Sequence, residues 1–122
     1  MTTRMRIQLE RPVPVARAED IPLWEARRVT VAGRRLAVVH TPSGFHAVDA
    51  DCPHRGGPLA DGLVGDGCIT CPLHNWRIDL RSGEVMGEEE GRVAVHRVHE
   101  RQGWIYVALS RDAPVVPQGA CV

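Results

Sequence analysis

Short apolar segments, separated every few residues by glycine- or proline-containing turns, make up most of this chain. Valine is frequent in these segments, which is typical of β-strands. No segment places apolar residues at helical spacing over about ten residues. The pattern therefore predicts an all-β domain, with strands at residues 27–32, 35–40, 44–49, 68–71, 76–79, 93–99 and 104–109.

The last two predicted strands form the clearest hairpin. Val93 and Val95 alternate with Ala94 and His96, and a turn at residues 101–103 leads into an apolar run that starts at Trp104. Both faces of this last strand are expected to be covered. We therefore predict an antiparallel pair near the end of the domain.

The two ends of the chain are rich in proline. Residues 11–14 and 113–117 have the proline content of extended arms or tails. The sequence contains neither an internal repeat nor an interdomain linker. A single domain over residues 1–122 is therefore expected.

The composition argues against two classes of function. Fifteen basic residues, all arginine, balance fifteen acidic residues, so no excess positive charge is present to attract nucleic acid. The longest strongly apolar run, residues 104–109, is far too short to cross a bilayer. Partners among nucleic acids or membranes are therefore not expected.

The first twenty residues lack the basic start and the sustained apolar stretch of a secretory signal. A cytoplasmic location is therefore predicted, and thiols are kept reduced in that compartment. The four cysteines of the chain are then better explained as metal ligands or inert thiols than as a disulfide framework.

Two short boxes each contain one cysteine and one histidine. Cys52-Pro-His54 and Cys71-Pro-Leu-His74 are separated by sixteen residues. Loops that each present one thiolate and one imidazole can hold two adjacent irons, with sulfur on one and nitrogen on the other, as in a Rieske [2Fe-2S] centre. Two cysteines and two histidines also suit tetrahedral zinc, and Cys68 with Cys71 forms a nominal C-x-x-C pair. A zinc-binding structural or interaction module is the alternative.

The order and spacing of the four residues resemble those of the Rieske ferredoxin family. The resemblance implies an antiparallel Rieske-type β-sandwich, in which two ligand loops form a cluster-binding subdomain at about residues 50–85. It also implies that Cys52 and Cys71 bind one iron of a [2Fe-2S] cluster, and that His54 and His74 bind the other.

The resemblance also bears on the reduction potential. Two neutral imidazoles in place of two thiolates reduce the negative charge around the irons, which raises the potential to roughly −150 to +300 mV. High-potential Rieske proteins carry an extra cysteine in each box, joined as a disulfide, and a serine after the second histidine. Residues 55–57, Leu73 and Asn75 stand there instead, so we predict the low end of that range. Gly56 and Gly57 either bring backbone amides close to the cluster sulfurs or form a tight turn.

The remaining candidate residues are given structural roles. We expect Cys68 to be a small buried thiol, Cys121 to be a tail thiol and Trp76 to be part of the core. Three glutamates at residues 88–90 are either a solvated run or part of a loop over the cluster, where their charge would lower its potential. Histidines outside the two boxes are expected on strand surfaces: His40, His46, His96 and His99.

Neither a G-x-G-x-x-G nucleotide fingerprint nor a mononuclear iron triad is found in the sequence. The domain is therefore expected to relay single electrons to a partner that supplies the chemistry. The runs at residues 52–64 and 71–84 resemble the small subunit of assimilatory NAD(P)H-dependent nitrite reductase, whose large subunit holds flavin, a further iron-sulfur centre and sirohaem. The alternative is a free ferredoxin that delivers electrons to a ring-hydroxylating dioxygenase.

Overall fold

The computed structural model describes residues 11–52, 57–73, 75–87 and 91–110. Regular structure in these ranges is β, apart from single 3₁₀ turns at Ala18–Asp20 and Leu59–Asp61. The prediction of an all-β domain is therefore confirmed. The strands are β1 (Val13–Arg17), β2 (Ala26–Val31), β3 (Arg34–Thr41), β4 (Gly44–Asp49), β5 (Leu63–Val64), β6 (Cys68–Thr70), β7 (Arg77–Asp79), β8 (Val95–Arg101) and β9 (Trp104–Ala108).

The strands form two antiparallel sheets. The large sheet has six strands in the order β1-β9-β8-β4-β3-β2, and the small sheet has three in the order β5-β6-β7. The edge strands β1 and β2 also approach each other, so the large sheet curls towards closure. Within the described residues, no helix is long and apolar enough to cross a membrane.

Two hairpins of the large sheet have two-residue turns in which both residues have positive φ. Ala32 and Gly33 connect β2 to β3 with φ values of 51° and 84°, and Gln102 and Gly103 connect β8 to β9 with φ values of 53° and 85°. Turns with positive φ at both positions match the twist of the flanking strands, and they fix the pairing register. The predicted hairpin at the end of the domain is confirmed.

The prediction for the proline-rich residues 11–14 is wrong in part. Residues from Val13 onward form β1, which pairs with β9 at the edge of the large sheet. Proline is tolerated on an edge strand because its missing N–H costs no ladder hydrogen bond there, and the register shifts between Pro14 and Ala16. The other proline-rich segment, residues 113–117, lies outside the described residues. Strand β5 has no counterpart among the predicted strands, because two residues are too few to give a pattern.

The apolar core consists of two clusters that share the β3–β4 hairpin as a common wall. Val38 and Ala47 contribute to the cluster inside the large sheet. Their chain neighbours Val39 and Val48 contribute to the cluster between the large and small sheets. Because successive side chains point to opposite faces, both faces of this hairpin are buried. The second cluster contains Cys52 and Cys71, the two predicted sulfur ligands.

Candidate metal centre

Cys52 and Cys71 lie at the starts of two loops, which follow β4 and β6 respectively. Both side chains are buried, with 2% and 1% exposure, and both belong to the apolar cluster between the sheets. Neither cysteine is part of a disulfide. The structure thus brings the two predicted sulfur ligands into one buried region, whereas the predicted nitrogen ligands, His54 and His74, lie outside the described residues.

The two loops are closed by the same kind of hydrogen bond. The N–H of Cys52 donates to the carbonyl of Gly57 at 2.8 Å, and the N–H of Cys71 donates to the carbonyl of Trp76 at 2.7 Å. In each loop the bond joins the cysteine to the fifth residue after it. A turn-forming bond from the Asn75 N–H to the Cys71 carbonyl tightens the second loop, at 3.0 Å. Asn75 has φ = 61°, which asparagine tolerates better than most residues do.

Gly57 lies where the two loops meet. A Cβ atom at this residue would lie 2.5 Å from Sγ of Cys71, which is closer than real Cβ contacts come. The first loop therefore approaches the sulfur of the second with bare backbone, and only glycine permits that approach. Two buried reduced cysteines, with the bare backbone of Gly57 beside the sulfur of Cys71, fit a metal centre held between the loops.

The ends of the loop that contains Cys52 are joined to the large sheet. Asp51 and Pro58 form an isolated antiparallel bridge, and the N–H of Leu59 donates to the carbonyl of Ala50 at 2.9 Å. From β3, a guanidinium nitrogen of Arg35 donates to Oδ2 of Asp51 at 2.8 Å. The position of Cys52 is thus set by the rigid β3–β4 hairpin rather than by the loop alone.

Cys68 does not belong to the buried cluster that contains Cys52 and Cys71. Its thiol is half-buried and donates to Sδ of Met86 at 3.1 Å. Burial raises the pKa of the Cys68 thiol, and the charge of Asp79 adds to this effect more than Arg77 opposes it. Cys68 is thus half-buried, where a buried thiol is expected, and its contact with Met86 outside the cluster of Cys52 and Cys71 favours a structural role over the C-x-x-C interpretation.

Trp76 is half-buried and packs against the cluster between the sheets, as predicted. Cys121 and residues 88–90 lie outside the described residues, so the expectations for them stay predictions. Among the other histidines, His99 is exposed, while His40 and His46 are half-buried.

The expectation that His96 lies on a strand surface is wrong. The residue is 3% exposed, and its ring connects two parts of the large sheet. The N–H of Ser110 donates to Nδ1 of His96 at 2.9 Å, so Nε2 carries the proton and donates to Oδ1 of Asp49, also at 2.9 Å. These hydrogen bonds satisfy the buried ring, which is why a polar side chain is stable there.

Asp49 is the centre of this network, which the sequence did not indicate because its members are far apart along the chain. Arg34 donates to Oδ1 of Asp49 at 3.1 Å, and the N–H of Ala94 donates to Oδ2 at 3.3 Å. Burial alone would raise the pKa of the Asp49 carboxyl group, but the interactions with His96, Arg34 and Ala94 together lower it. The carboxylate that ends β4 is therefore held ionised, three residues before Cys52.

Comparison with known families and proteins identifies the type of centre. The sequence profile of the Rieske [2Fe-2S] domain matches residues 11–98. The chain is 30% identical over 119 residues to a Rieske domain-containing protein of Homo sapiens, covering 82% of this chain and 76% of that protein. It is also 30% identical over 96 residues to the methanesulfonate monooxygenase ferredoxin subunit of Methylosulfonomonas methylovora, covering 78% of each.

Solved structures share the fold. The ferredoxin of carbazole 1,9a-dioxygenase from Nocardioides aromaticivorans superposes with a TM-score of 0.74 at 26% identity, covering 79% of this chain and 95% of that one. A chain from Mycobacterium tuberculosis assigned as an NADH-dependent nitrite reductase small subunit gives 0.77 at 20% identity, covering 84% and 97%. Other relatives are much longer, and the chain spans 18% of a cholesterol 7-desaturase from Hemicentrotus pulcherrimus.

Proposed function

The chain belongs to the Rieske [2Fe-2S] domain family, and from this we propose that Cys52, His54, Cys71 and His74 hold its cluster. The family implies a Rieske-type [2Fe-2S] cluster as the cofactor and electron transfer as the role. When bound, the cluster supplies a site that takes up and releases one electron at a time.

The roles of the four residues follow from their chemistry. Cys52 and Cys71 would bind one iron as thiolates, and His54 and His74 would bind the other as neutral imidazoles. Cys52 and Cys71 would supply the negatively charged donors of the centre, and His54 and His74 would supply the neutral ones. The buried position of both cysteines excludes water from the sulfur side of the centre.

The observation that carries this proposal is that Cys52 and Cys71 are both buried, in two loops that are closed by the same kind of hydrogen bond and that meet at Gly57. Burial alone is ordinary for a reduced cysteine, so the approach of Gly57 to the sulfur of Cys71 is the more specific part of this observation. Gly57 in particular leaves room for an unhindered sulfur, which a core without a cofactor does not require. Two loops built in this way suit a centre that is shared between them.

The first electron acceptor that we propose is the large subunit of an NAD(P)H-dependent assimilatory nitrite reductase, the sirohaem- and flavin-containing protein. The residue runs that begin at Cys52 and Cys71 resemble the small subunit of that enzyme and support this choice. In this arrangement the chain is a relay subunit and the larger protein reduces nitrite.

The second acceptor is an oxygenase, and a different observation favours it. The monooxygenase ferredoxin subunit and the dioxygenase ferredoxin are similar to this chain at 30% and 26% identity, over most of their own lengths. By analogy, the chain would be a ferredoxin that delivers electrons one at a time to an oxygenase component.

Anaerobic electron transfer from the reduced protein distinguishes these acceptors. The dithionite-reduced chain, freed of excess dithionite, is mixed in separate reactions with the sirohaem nitrite reductase large subunit and with a Rieske oxygenase from the same cell. We expect the reductase subunit to reoxidise the wild-type chain rapidly and to consume nitrite. The Cys52→Ser variant of the chain serves as the control, and with it neither change is expected. Reoxidation by the oxygenase alone would favour the ferredoxin role, and reoxidation by neither would contradict both acceptors.

A further inference from the structure

Leu73 is half exposed, at 50%, although it lies two residues after a fully buried cysteine. The exposure of a single leucine needs no explanation by itself, so the question is what the covered half of the side chain contacts. The neighbours that matter are on the other ligand loop.

The contact is defined by Gly57. The Cγ and Cδ1 atoms of Leu73 both lie 3.1 Å from the point that a Cβ atom of residue 57 would occupy, and Sγ of Cys71 lies 2.5 Å from that same point. The leucine side chain and the cysteine sulfur therefore sit side by side against the bare backbone of Gly57. Of these two side chains, that of Cys71 is buried and that of Leu73 is half exposed to solvent.

We propose that Leu73 is a positioning residue, whose side chain packs on Gly57, joins the second ligand loop to the first and covers the sulfur of Cys71. This inference rests on the proposed role of Cys71 as a cluster ligand. Leucine suits this position because its branched end fills the space that Gly57 leaves, and dispersion contacts across that space hold the loops in register.

Removing the cover has two physical consequences. Water gains access to the sulfur, which makes exchange of the thiolate ligand easier and shortens the life of the cluster. Water also stabilises the more negative, reduced form of the centre, so the reduction potential rises. A residue with a merely structural role in the loop would not shift the potential.

The chain offers a matched control for the leucine. Leu63, the first residue of β5, is 77% exposed and pairs with Thr70, the residue before Cys71. It is not among the nearest neighbours of the Gly57 position. Leu63→Ala therefore removes the same number of atoms from an exposed leucine at the same end of the small sheet, without opening the cover.

The test compares Leu73→Ala, Leu73→Met and Leu63→Ala with the wild-type holoprotein. Visible absorbance follows the loss of the cluster to EDTA, and voltammetry gives the midpoint potential. We expect Leu73→Ala to lose its cluster on the order of tenfold faster and to have a higher potential. Leu73→Met, which restores an apolar cover, and Leu63→Ala should both resemble the wild type. If Leu73→Ala does not fold, Leu73→Val takes its place. Its cluster should then be lost faster than that of the wild type, but less than about tenfold faster.

Glycine variants test the other side of the contact. Gly57→Ala places a methyl group against the sulfur and should give a folded protein with little cluster. The control is Gly65→Ala, because a Cβ atom there would meet nothing closer than 3.8 Å. Equal cluster loss and equal potentials in Leu73→Ala and Leu63→Ala would overturn the inference alone, whereas a wild-type protein that takes up no cluster would overturn the proposed function with it.

Discussion

The large and small sheets are stabilised in different ways. Strands of the large sheet such as β3 and β8 have eight and seven residues, and hairpins with two-residue turns connect neighbours in the sequence. Strands of the small sheet have only two or three residues. Short strands bury little apolar surface of their own, so the small sheet depends on contacts with distant parts of the chain.

Two glycines illustrate this dependence. A Cβ atom at Gly62 would strike the backbone carbonyl of Thr70, and one at Gly83 would strike that of Val93. Around the small sheet, segments therefore approach each other backbone to backbone, and the proposed metal centre joins its two loops. We therefore expect the large sheet to keep its structure without a cluster, whereas the small sheet should depend on the proposed centre for much of its order.

The largest effect is expected from loss of a sulfur ligand. Cys52→Ser and Cys71→Ser should abolish the visible absorbance of the cluster, whereas Cys68→Ser should retain it, because Cys68 lies outside the buried pair. Hydrogen exchange measured on the two cluster-free variants should show lost protection in the small sheet and retained protection in β3 and β8. Equal loss of protection in both sheets would show that the large sheet is no independent scaffold.

A smaller but still large effect is expected in the scaffold itself. His96→Ala removes a buried ring and leaves Asp49 without one of its hydrogen-bond donors, so the free energy of unfolding should fall by about 2–4 kcal/mol. Urea denaturation measures this change, with the exposed His99→Ala as the control. The midpoint potential of the cluster should stay close to that of the wild type, since the network belongs to the large sheet. A loss of under about 0.5 kcal/mol would show that the network contributes little.

Acid should weaken the folded state through His46. Burial lowers the pKa of this imidazole, and the charge of Arg81 lowers it further, although Asp79 acts in the opposite direction. The unfolded chain therefore binds a proton at His46 before the folded chain does, so stability is unaffected well above pH 6.5 and falls as the pH drops below that value. Urea denaturation at pH 7.5 and 5.5 should show a smaller loss in His46→Gln than in the wild type. An equal loss in both proteins would contradict this assignment.

The smallest effect is expected from the ion pair at the entrance to the first ligand loop. Arg35 and Asp51 are 61% and 49% exposed, so solvent screens their interaction. Arg35→Ala should lower the free energy of unfolding by about 0.5 kcal/mol or less. Faster loss of the cluster in this variant would show that the pair positions Cys52 more strongly than its exposure indicates.

Sequence patterns predicted the scaffold better than the site. Predicted strands overlap seven of the nine observed, because alternation and glycine-containing turns are local signals. Strand β1 was missed because its prolines indicate an arm unless the edge position is known. The short strand β5 carries no periodic signal at all.

The spacing of cysteines and histidines is enough to propose the ligands, yet it does not predict their surroundings. Contact between Gly57 and the sulfur of Cys71 depends on how two separate loops fold against each other. The buried pair of His96 and Asp49 joins β8 to β4 across a long stretch of chain, and neither residue type predicts burial. Long-range packing of this kind leaves no mark on a local pattern.

Pulsed EPR on the dithionite-reduced protein tests the ligand set most directly, because it detects nitrogen nuclei bound to a paramagnetic cluster. A centre held by two cysteines and two histidines should give a reduced signal with two strongly coupled imidazole nitrogens, one of which is absent in His54→Cys or His74→Cys if the cluster assembles. A reduced cluster without nitrogen coupling, or a protein that binds zinc and gives no signal, would contradict the assignment.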